Sequence, residues 1–591
     1  MAVIAGIGVI SQPNIEQTVE LKLQALWNRQ PSAPHGLPPR WTGRVRSLGF
    51  EAVVLGTLLA VVALLFLRKR ESCAAWADKP KQVLLTAAFL MLMLWLPVAL
   101  WGHSSVLFGK RIWFLGDDPM ISMRYARNLA NGNGWVWNAG EHVEGYTNPL
   151  WTMLMAGCHL IIPSDLHTSL SVMILNIIIS LWILWLLHRL TDAFGGNSWV
   201  KAGVLFAFVL NRNLLSMSMA GFEIPLLTAL MLWALLRIVS ESKTGNPSVW
   251  TYVIIGIMAL VRSDAIVPAM LLTAYSFFLQ KKKKQVLFYV IIMLVFPALH
   301  LLFRQLYYGE WLPNTAYLKV GQVESRWIPG LHYALGFMKA YFVYIAAAIF
   351  GLCFTRKKIS LFLGGLVLLY SGYVVYAGGD AFHHYRFFLP VLPLLFLMAF
   401  LGIEKLHIRK KAQALMTLLF MAAMPMVFPG YSLLSLLPRP ADIRNVELGL
   451  MIRANTSPDA RVADAWAGNP FYFSDRYGID LLGKNDPVIA RQPVRDASAK
   501  VGHNKFDYDY SLGQLKPDYV IGNFKLPITD VDMKSYMTGD WAAAGALYFH
   551  PLFQEHGLPN PVKADTWRSI FVMDWSQAYG QREEAWHPPE W

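Results

Sequence analysis

The sequence predicts an all-α polytopic membrane domain followed by a C-terminal water-soluble α/β domain, and three observations carry that reading. The 591-residue chain is 55% hydrophobic and only 15% charged, against roughly 25% charged in an ordinary soluble domain. Its apolar residues gather into many runs near the roughly 20 residues that cross a hydrocarbon core about 30 Å thick. Beyond about residue 430 that texture gives way to alternating polar and apolar residues rich in Pro, Gly and Asp.

Roughly 11–12 transmembrane helices are expected. The candidate spans cover residues 50–67, 84–101, 168–187, 200–216, 224–239, 249–262, 264–280, 285–303, 338–354, 359–377, 387–403 and 412–428. The formal charge of +14 is topological, because Lys and Arg cluster between the spans. The clusters are Arg68 to Arg70 with Lys79 and Lys81, Lys281 to Lys284, Arg356 to Lys358, and Lys405 with Arg409 to Lys411. All four fit one side, the cytoplasm, so no nucleic-acid partner is expected. Counting crossings then puts 102–167, 304–337, 378–386 and the C-terminal region on the opposite side. The short apolar piece from Pro149 to Ile162 is assigned to the interface, as a juxtamembrane or re-entrant helix. The domains read as a 1–49 leader, a 50–430 membrane domain with its outer loop at 102–167, and a soluble domain at 431–591. In the last, Arg461 to Ala465 and Asp518 to Ile521 read as buried strands. Cys73, Cys158 and Cys353 imply no disulfide framework or thiolate site.

The chemistry concentrates in FLGDDPMISMRYARNLANGNGWVWNAGEHVEGYTNPLW, residues 114–151, directly after a predicted span. Asp117 and Asp118 are adjacent carboxylates that stay ionised only if cations or water attend them; Arg124 and Arg127 on the following helix could serve. The plainer reading is that Asp117 caps that helix, with Pro119 in its first turn. The segment continues through Trp135, Trp137, Glu141, His142, Glu144, Tyr146 and Asn148, a mixture of aromatic faces, amides and carboxylates that suits a sugar. Asp117, Asp118 and Glu144 could also form an oxygen site for a divalent cation (Mg, Mn or Ca), although their spacing is not diagnostic.

This loop resembles that of membrane glycosyltransferases with the C-type (GT-C) fold, and most of all the terminal arabinofuranosyltransferases of mycobacterial cell walls and their bacterial relatives. The resemblance rests on the GDDP and EGYTNPLW stretches and on GFE at 221–223, LVRSD at 260–264, YYGEWLPNTAYLK at 307–319 and GGDAFHHYRFFLP at 378–390. It covers roughly residues 84–430. It implies a multi-pass protein of the bacterial inner membrane that uses a polyprenyl-phosphate sugar donor at the periplasmic or exterior face, and D-arabinofuranose as the sugar. The acceptor would be a glycan or a glycoprotein. It further implies that Asp117 or Asp118 is the catalytic carboxylate, acting as base toward the acceptor hydroxyl or stabilising positive charge at the anomeric carbon.

Lipid-phosphate chemistry also needs cations near the departing phosphate. Arg386, His383 and His384 are the first candidates, with Lys319 and Arg262 behind them; Arg suits phosphate through its forked donors. Each has a plainer reading: Arg262 pairs with Asp264, and the histidines are interfacial. Sugar or acceptor contacts are assigned to Glu144, Tyr146, Asn148, Glu223, Asn314, Asp380, His503 and Lys505. Glu223 stands out because an unpaired carboxylate at membrane depth is costly. Tyr307, Tyr308, Trp311 and Trp327 include interface anchors. In the C-terminal region, GHNKFDYDYSL (502–512) could overhang the site, and FYFSDRYGIDLLGK (471–484) could help line an acceptor groove.

Two other readings compete with this one. A transporter or flippase of lipid-linked sugars should carry broken or charged segments at mid-membrane and a repeat between halves; neither is clear. Phosphoethanolamine transfer lacks a Ser or Thr nucleophile among metal-ligand residues. A C-type enzyme for a different sugar stays open.

Overall fold

The computed structural model describes residues 79–319, 327–353, 358–380, 384–406, 439–496, 499–524, 542–557, 561–563, 568–581 and 586–590. The leader, the spans expected at 50–67 and 412–428, and His383 lie outside the described residues.

The long apolar runs form helices. Pro80–Gly102, Thr168–Ala193, Ile224–Thr244 and Lys283–Tyr308 are each long and apolar enough to cross a membrane. At 1.5 Å per residue, 26 residues reach about 39 Å. Two helix pairs pass the same test together, as broken spans or re-entrant loops: Ser198–Val209 with Arg212–Met219, bent by 45°, and Trp327–Ala340 with Phe342–Cys353, bent by 83°. The chain is a multi-pass membrane protein.

Several expected spans are shorter than a bilayer is thick. Val249–Val261, Ser263–Leu279 and Leu392–Glu404 are apolar helices of fewer than 18 residues, and 13 residues rise only about 20 Å; Lys358–Tyr376, with 19 residues, matches the span expected at 359–377. The break between the first two falls at Arg262, whose guanidinium is held by Glu223 and Asp264. An ion-paired Arg is a poor occupant of lipid, so the apolar run is divided there. The Pro149–Ile161 piece is a 13-residue helix, as its length predicts.

Helices approach closely where side chains are missing. A Cβ on Gly256 would lie 2.6 Å from the Met293 carbonyl oxygen, and one on Gly351 would lie 2.5 Å from the Gly402 Cα. Small residues at such crossings are how membrane helices gain contact without a hydrophobic drive. The Lys283–Tyr308 helix instead turns Leu287, Phe288, Ile291, Leu299 and Leu306 outward, as a lipid-facing helix should.

Two strands, β1 (Ser104–Leu107) and β2 (Lys110–Trp113), form an antiparallel hairpin between the first helix and the Asp117–Ala130 helix. Its turn residues Phe108 and Gly109 both have positive φ, the geometry that matches strand twist in a two-residue hairpin. The C-terminal region carries a five-stranded sheet. Strands β3 (Arg461–Asp464), β4 (Tyr477–Asp480) and β5 (Tyr519–Gly522) are parallel, while β6 (Pro561–Lys563) and β7 (Ser569–Val572) complete it antiparallel, in the order β4-β3-β5-β7-β6. Strands β3 and β5 fall on the two runs read from sequence. The helix Pro440–Asn455 packs over one face, where Leu448 and Ile452 join Val462, Tyr519, Ile521, Ile570 and Val572. The same core takes in Tyr125, Trp137 and Tyr146 of the 102–167 loop, so loop and sheet are built as one body.

Candidate active site

Asp117 opens the Asp117–Ala130 helix, and Gly116, with extended backbone, is the cap. Asp117 does not cap its own helix: its Oδ1 accepts the Asn469 amide at 2.9 Å, so it serves the start of the Asn469–Ser474 helix in the C-terminal region. Asp117 is 8% exposed. Burial pushes its pKa up to about 7, opposed by Lys484 and the Asn469 amide.

Asp118 is the accessible member of the pair, with a third of its side chain open. Lys484 Nζ donates to its Oδ1 at 3.0 Å, and Arg386 Nη1 stands 3.7 Å from its Oδ2. Burial alone would raise its pKa, but Lys484, then Arg386, overcome it and hold Asp118 well below the usual carboxylate range. The two neighbours are thereby driven apart, one at the edge of protonation near neutrality and one ionised, a separation typical of functional carboxylates.

The expected counter-cations were the wrong ones. Arg124 donates to the carbonyls of Trp137, Phe471 and Arg476 and to the Asn138 side chain; Arg127 goes to the Tyr472 carbonyl and to Asp475. Both point away from Asp117 and Asp118 because helical positions seven to ten residues on lie two to three turns along the axis. Together they bolt the C-terminal domain onto the helix. Lys484, which does attend Asp118, is the last residue of the 471–484 stretch singled out from sequence, and nothing local marks it, since its partner lies 366 residues away.

Among the phosphate candidates, Arg386 sits beside Asp118, with its Nε and Nη2 fixed by Asp380 at 2.8 and 2.9 Å and its plane 4.7 Å from the Phe222 ring. Asp380 therefore orients Arg386. Lys319 is exposed and interacts electrostatically with Arg386, Asp380 and Asp118; it belongs to the same charge cluster. His503 is close enough to lower the Asp118 pKa through its charge. Arg262 pairs with Asp264 and Glu223, and His384 meets Asn213 through Nδ1 at 3.1 Å.

Other sugar candidates turn out to be scaffolding. Glu144 is buried against Arg304, with His300 at 3.6 Å, so it does not join Asp117 and Asp118. Among the described residues no three His, Cys, Asp or Glu side chains converge on a metal-sized site. Tyr146 is stacked on Trp135 and bonded to the Tyr308 hydroxyl. Asn148 donates to Glu223 and accepts from Ser122. Asn314 donates to the carbonyls of Gly483, Lys484 and Asp486, and Lys505 to those of Ala490 and Tyr317; both tie the C-terminal domain to the 307–319 segment. Tyr307 and Tyr308 hold the backbone of Trp135, whereas Trp311 and Trp327 are exposed as interface anchors would be.

A recess of about 910 Å³ lies near the far end of the Asp117–Ala130 helix, lined by Arg127, Asp165, Arg453 and Asp475 among others. Arg127, Asp165, Arg453 and Asp475 pair among themselves, and Arg127 lies about 13 Å along the helix from Asp118.

The structure resembles crystalline ArnT from Cupriavidus metallidurans bound to undecaprenyl phosphate, with a TM-score of 0.52 at 12% identity over 85% of this chain and 99% of that one. The chain has the C-type glycosyltransferase fold. By sequence it is similar to the terminal beta-(1->2)-arabinofuranosyltransferase of Corynebacterium glutamicum, 26% identical over 334 residues, which is 48% of this chain and 47% of the relative. The protein of the same name from Mycobacterium tuberculosis is 26% identical over 272 residues, 43% of this chain and 42% of that one. The chain thus aligns with about half the length of these curated relatives. Residues 439–571 match a family described as Domain of unknown function (DUF8728), which is the sheet-bearing region that supplies Asn469 and Lys484.

The raised pKa of Asp117 gives a pH expectation with a definite sign. Between its ordinary value of 3.8 and about 7 the folded protein holds a proton that the unfolded chain has released, so stability falls as pH rises through that window and levels off above it. The thermal midpoint of Asp117→Asn in detergent, scanned from pH 4.5 to 8, should fall less steeply than that of the parent. Identical slopes would mean that Asp117 does not titrate there.

Proposed function

We propose that this chain transfers D-arabinofuranose from a polyprenyl-phosphate donor to a glycan or glycoprotein acceptor at the periplasmic or exterior face of the bacterial inner membrane. The observation that carries the proposal is Asp118, an accessible ionised carboxylate bracketed by Arg386 and Lys484, with exposed Lys319 in the same cluster. Similarity to the arabinofuranosyltransferases supports the sugar, and likeness to ArnT, whose structure holds undecaprenyl phosphate, supports the carrier. The positive-inside pattern supports the orientation.

In this reading Asp118 takes the proton of the acceptor hydroxyl as its oxygen attacks the anomeric carbon. The C–O bond to phosphate breaks, and its electron pair leaves with the lipid phosphate. The donor is a phosphodiester with one negative charge, and the product is a monoester approaching two. Cations held in place before the reaction stabilise that growing charge without reorganising. Arg386 is suited to this because Asp380 fixes its plane while Nη1 faces the site.

Arg386→Ala tests the phosphate role. The KM for a synthetic polyprenyl-phosphate arabinose should rise by at least tenfold, the order of one lost charge-assisted hydrogen bond. Donor kinetics indistinguishable from the parent would remove Arg386 from the site. If the purified chain transfers no arabinose but accepts another polyprenyl-phosphate sugar, the sugar assignment fails and the carrier assignment stands.

A further inference from the structure

The C-terminal domain reaches the reacting carboxylate through the Lys484 ammonium, which donates to Asp118. Lys484 lies just after β4, and its loop is fixed on three sides. Asn314 donates to three of its carbonyls, Asp480 accepts the amide and side chain of Asn485, and the Asn485 oxygen fills the space where Gly145 has no Cβ, 1.9 Å from where that atom would be. A lysine on a mobile loop would lose much rotamer entropy on binding an anion; here the backbone share of that cost is met by folding. Its side chain is 17% exposed, and the ammonium rests on Asp118 Oδ1, while Arg386 approaches the other oxygen.

We propose that Lys484 is a shared cation: it pairs with Asp118 while the site is free, then turns to the phosphate of the arriving lipid donor, freeing Asp118 to accept a proton. This rests on the function proposed above, and it gives the domain of unknown function a task in the reaction itself. Lysine fits the task because its ammonium is a compact point charge on a flexible stem, able to exchange one anion for another, whereas Arg386 is locked in a fork with Asp380. The step balances. The acceptor proton passes to Asp118, the acceptor oxygen bonds the anomeric carbon, the phosphate oxygen takes the electron pair of the broken bond, and Lys484 faces the added negative charge. Donor binding thus raises the basicity of Asp118 only when there is something to transfer.

The test compares Lys484→Met and Lys484→Arg in the full chain. First, binding of undecaprenyl monophosphate is measured by ligand-induced thermal shift, a readout independent of turnover. Lys484→Met should bind at least tenfold more weakly than the parent, and Lys484→Arg should recover part of the loss. Second, the acid limbs of kcat/KM and kcat are compared, since they report the free and donor-bound enzyme respectively. In the parent the limb of kcat should lie at higher pH than that of kcat/KM, because the cation has left Asp118 in the complex; in Lys484→Met the two limbs should converge as the kcat/KM limb moves up. Parent-like binding by a folded Lys484→Met overturns the proposal, and so do parent-like pH limbs. If the parent binds the lipid phosphate yet transfers no sugar, the arabinosyl reading fails while the binding arm still decides Lys484.

Discussion

Asp118→Asn is expected to lower transfer from a polyprenyl-phosphate arabinose donor by about 10²–10⁴-fold in kcat, the range for loss of a positioned general base. Asn preserves the side chain's size but can neither accept a proton nor balance Lys484 and Arg386. Asp118→Glu separates these two losses. It keeps the charge but moves the carboxylate by about one bond length, and displacement on that scale alone can cost roughly 10²-fold. Its stability should stay close to that of the parent, because both ion pairs can re-form around the longer side chain. Asp117→Asn should be the milder of the two Asn variants in activity, since its carboxylate faces the Asn469 amide. Equal and near-full activity in Asp118→Asn and Asp118→Glu would end the assignment of Asp118 as base.

Gly468→Ala is expected to be the most damaging single change at the junction between the helix and the C-terminal domain. A Cβ there would lie 1.9 Å from the Asp117 carbonyl oxygen and 2.7 Å from its carbon. Those are backbone atoms at the first residue of a helix, so neither partner can swing aside. Overpacking typically costs 1–3 kcal/mol when neighbours adjust; with backbone on the receiving side the cost should reach the top of that range, and the Asn469–Ser474 helix should lift. That movement strains the Asn469 bond to Asp117 and the bonds from Arg124 and Arg127 to the Phe471 and Tyr472 carbonyls. A midpoint several degrees lower and at least tenfold slower transfer should follow, measured on the same detergent preparation. Gly145→Ala should be damaging too, because the Asn485 oxygen 1.9 Å from its added Cβ is held by the Tyr125 hydroxyl while Asp480 holds the amide nitrogen. A Gly468→Ala protein with parent-like midpoint and rate would show that the junction is looser than the contact implies.

Much of the architecture was legible in the residues themselves. Apolar run length gave the helical membrane domain. Two strands of the sheet were visible as β-rich runs between turn residues. The spans expected at 249–262 and 264–280 are the helices Val249–Val261 and Ser263–Leu279, divided at Arg262, whose guanidinium pairs with Glu223 and Asp264. Of the candidate site residues, Asp118, Arg386 and Lys319 come together with His503 nearby, while Glu144, Tyr146, Asn148, Asn314 and Lys505 spend their polar atoms on the scaffold.

The sequence by itself determined the class of protein and the position of its paired carboxylates, because hydrophobic run length, charge placement and a short motif are properties of contiguous residues. The tertiary structure alone decided which carboxylate is open, which is buried, and which cations attend them. Lys484 and Asn469 reach the pair across about 350 positions of chain. Coulomb energies depend on distance in space and on the water excluded between the charges, and neither can be counted along a sequence.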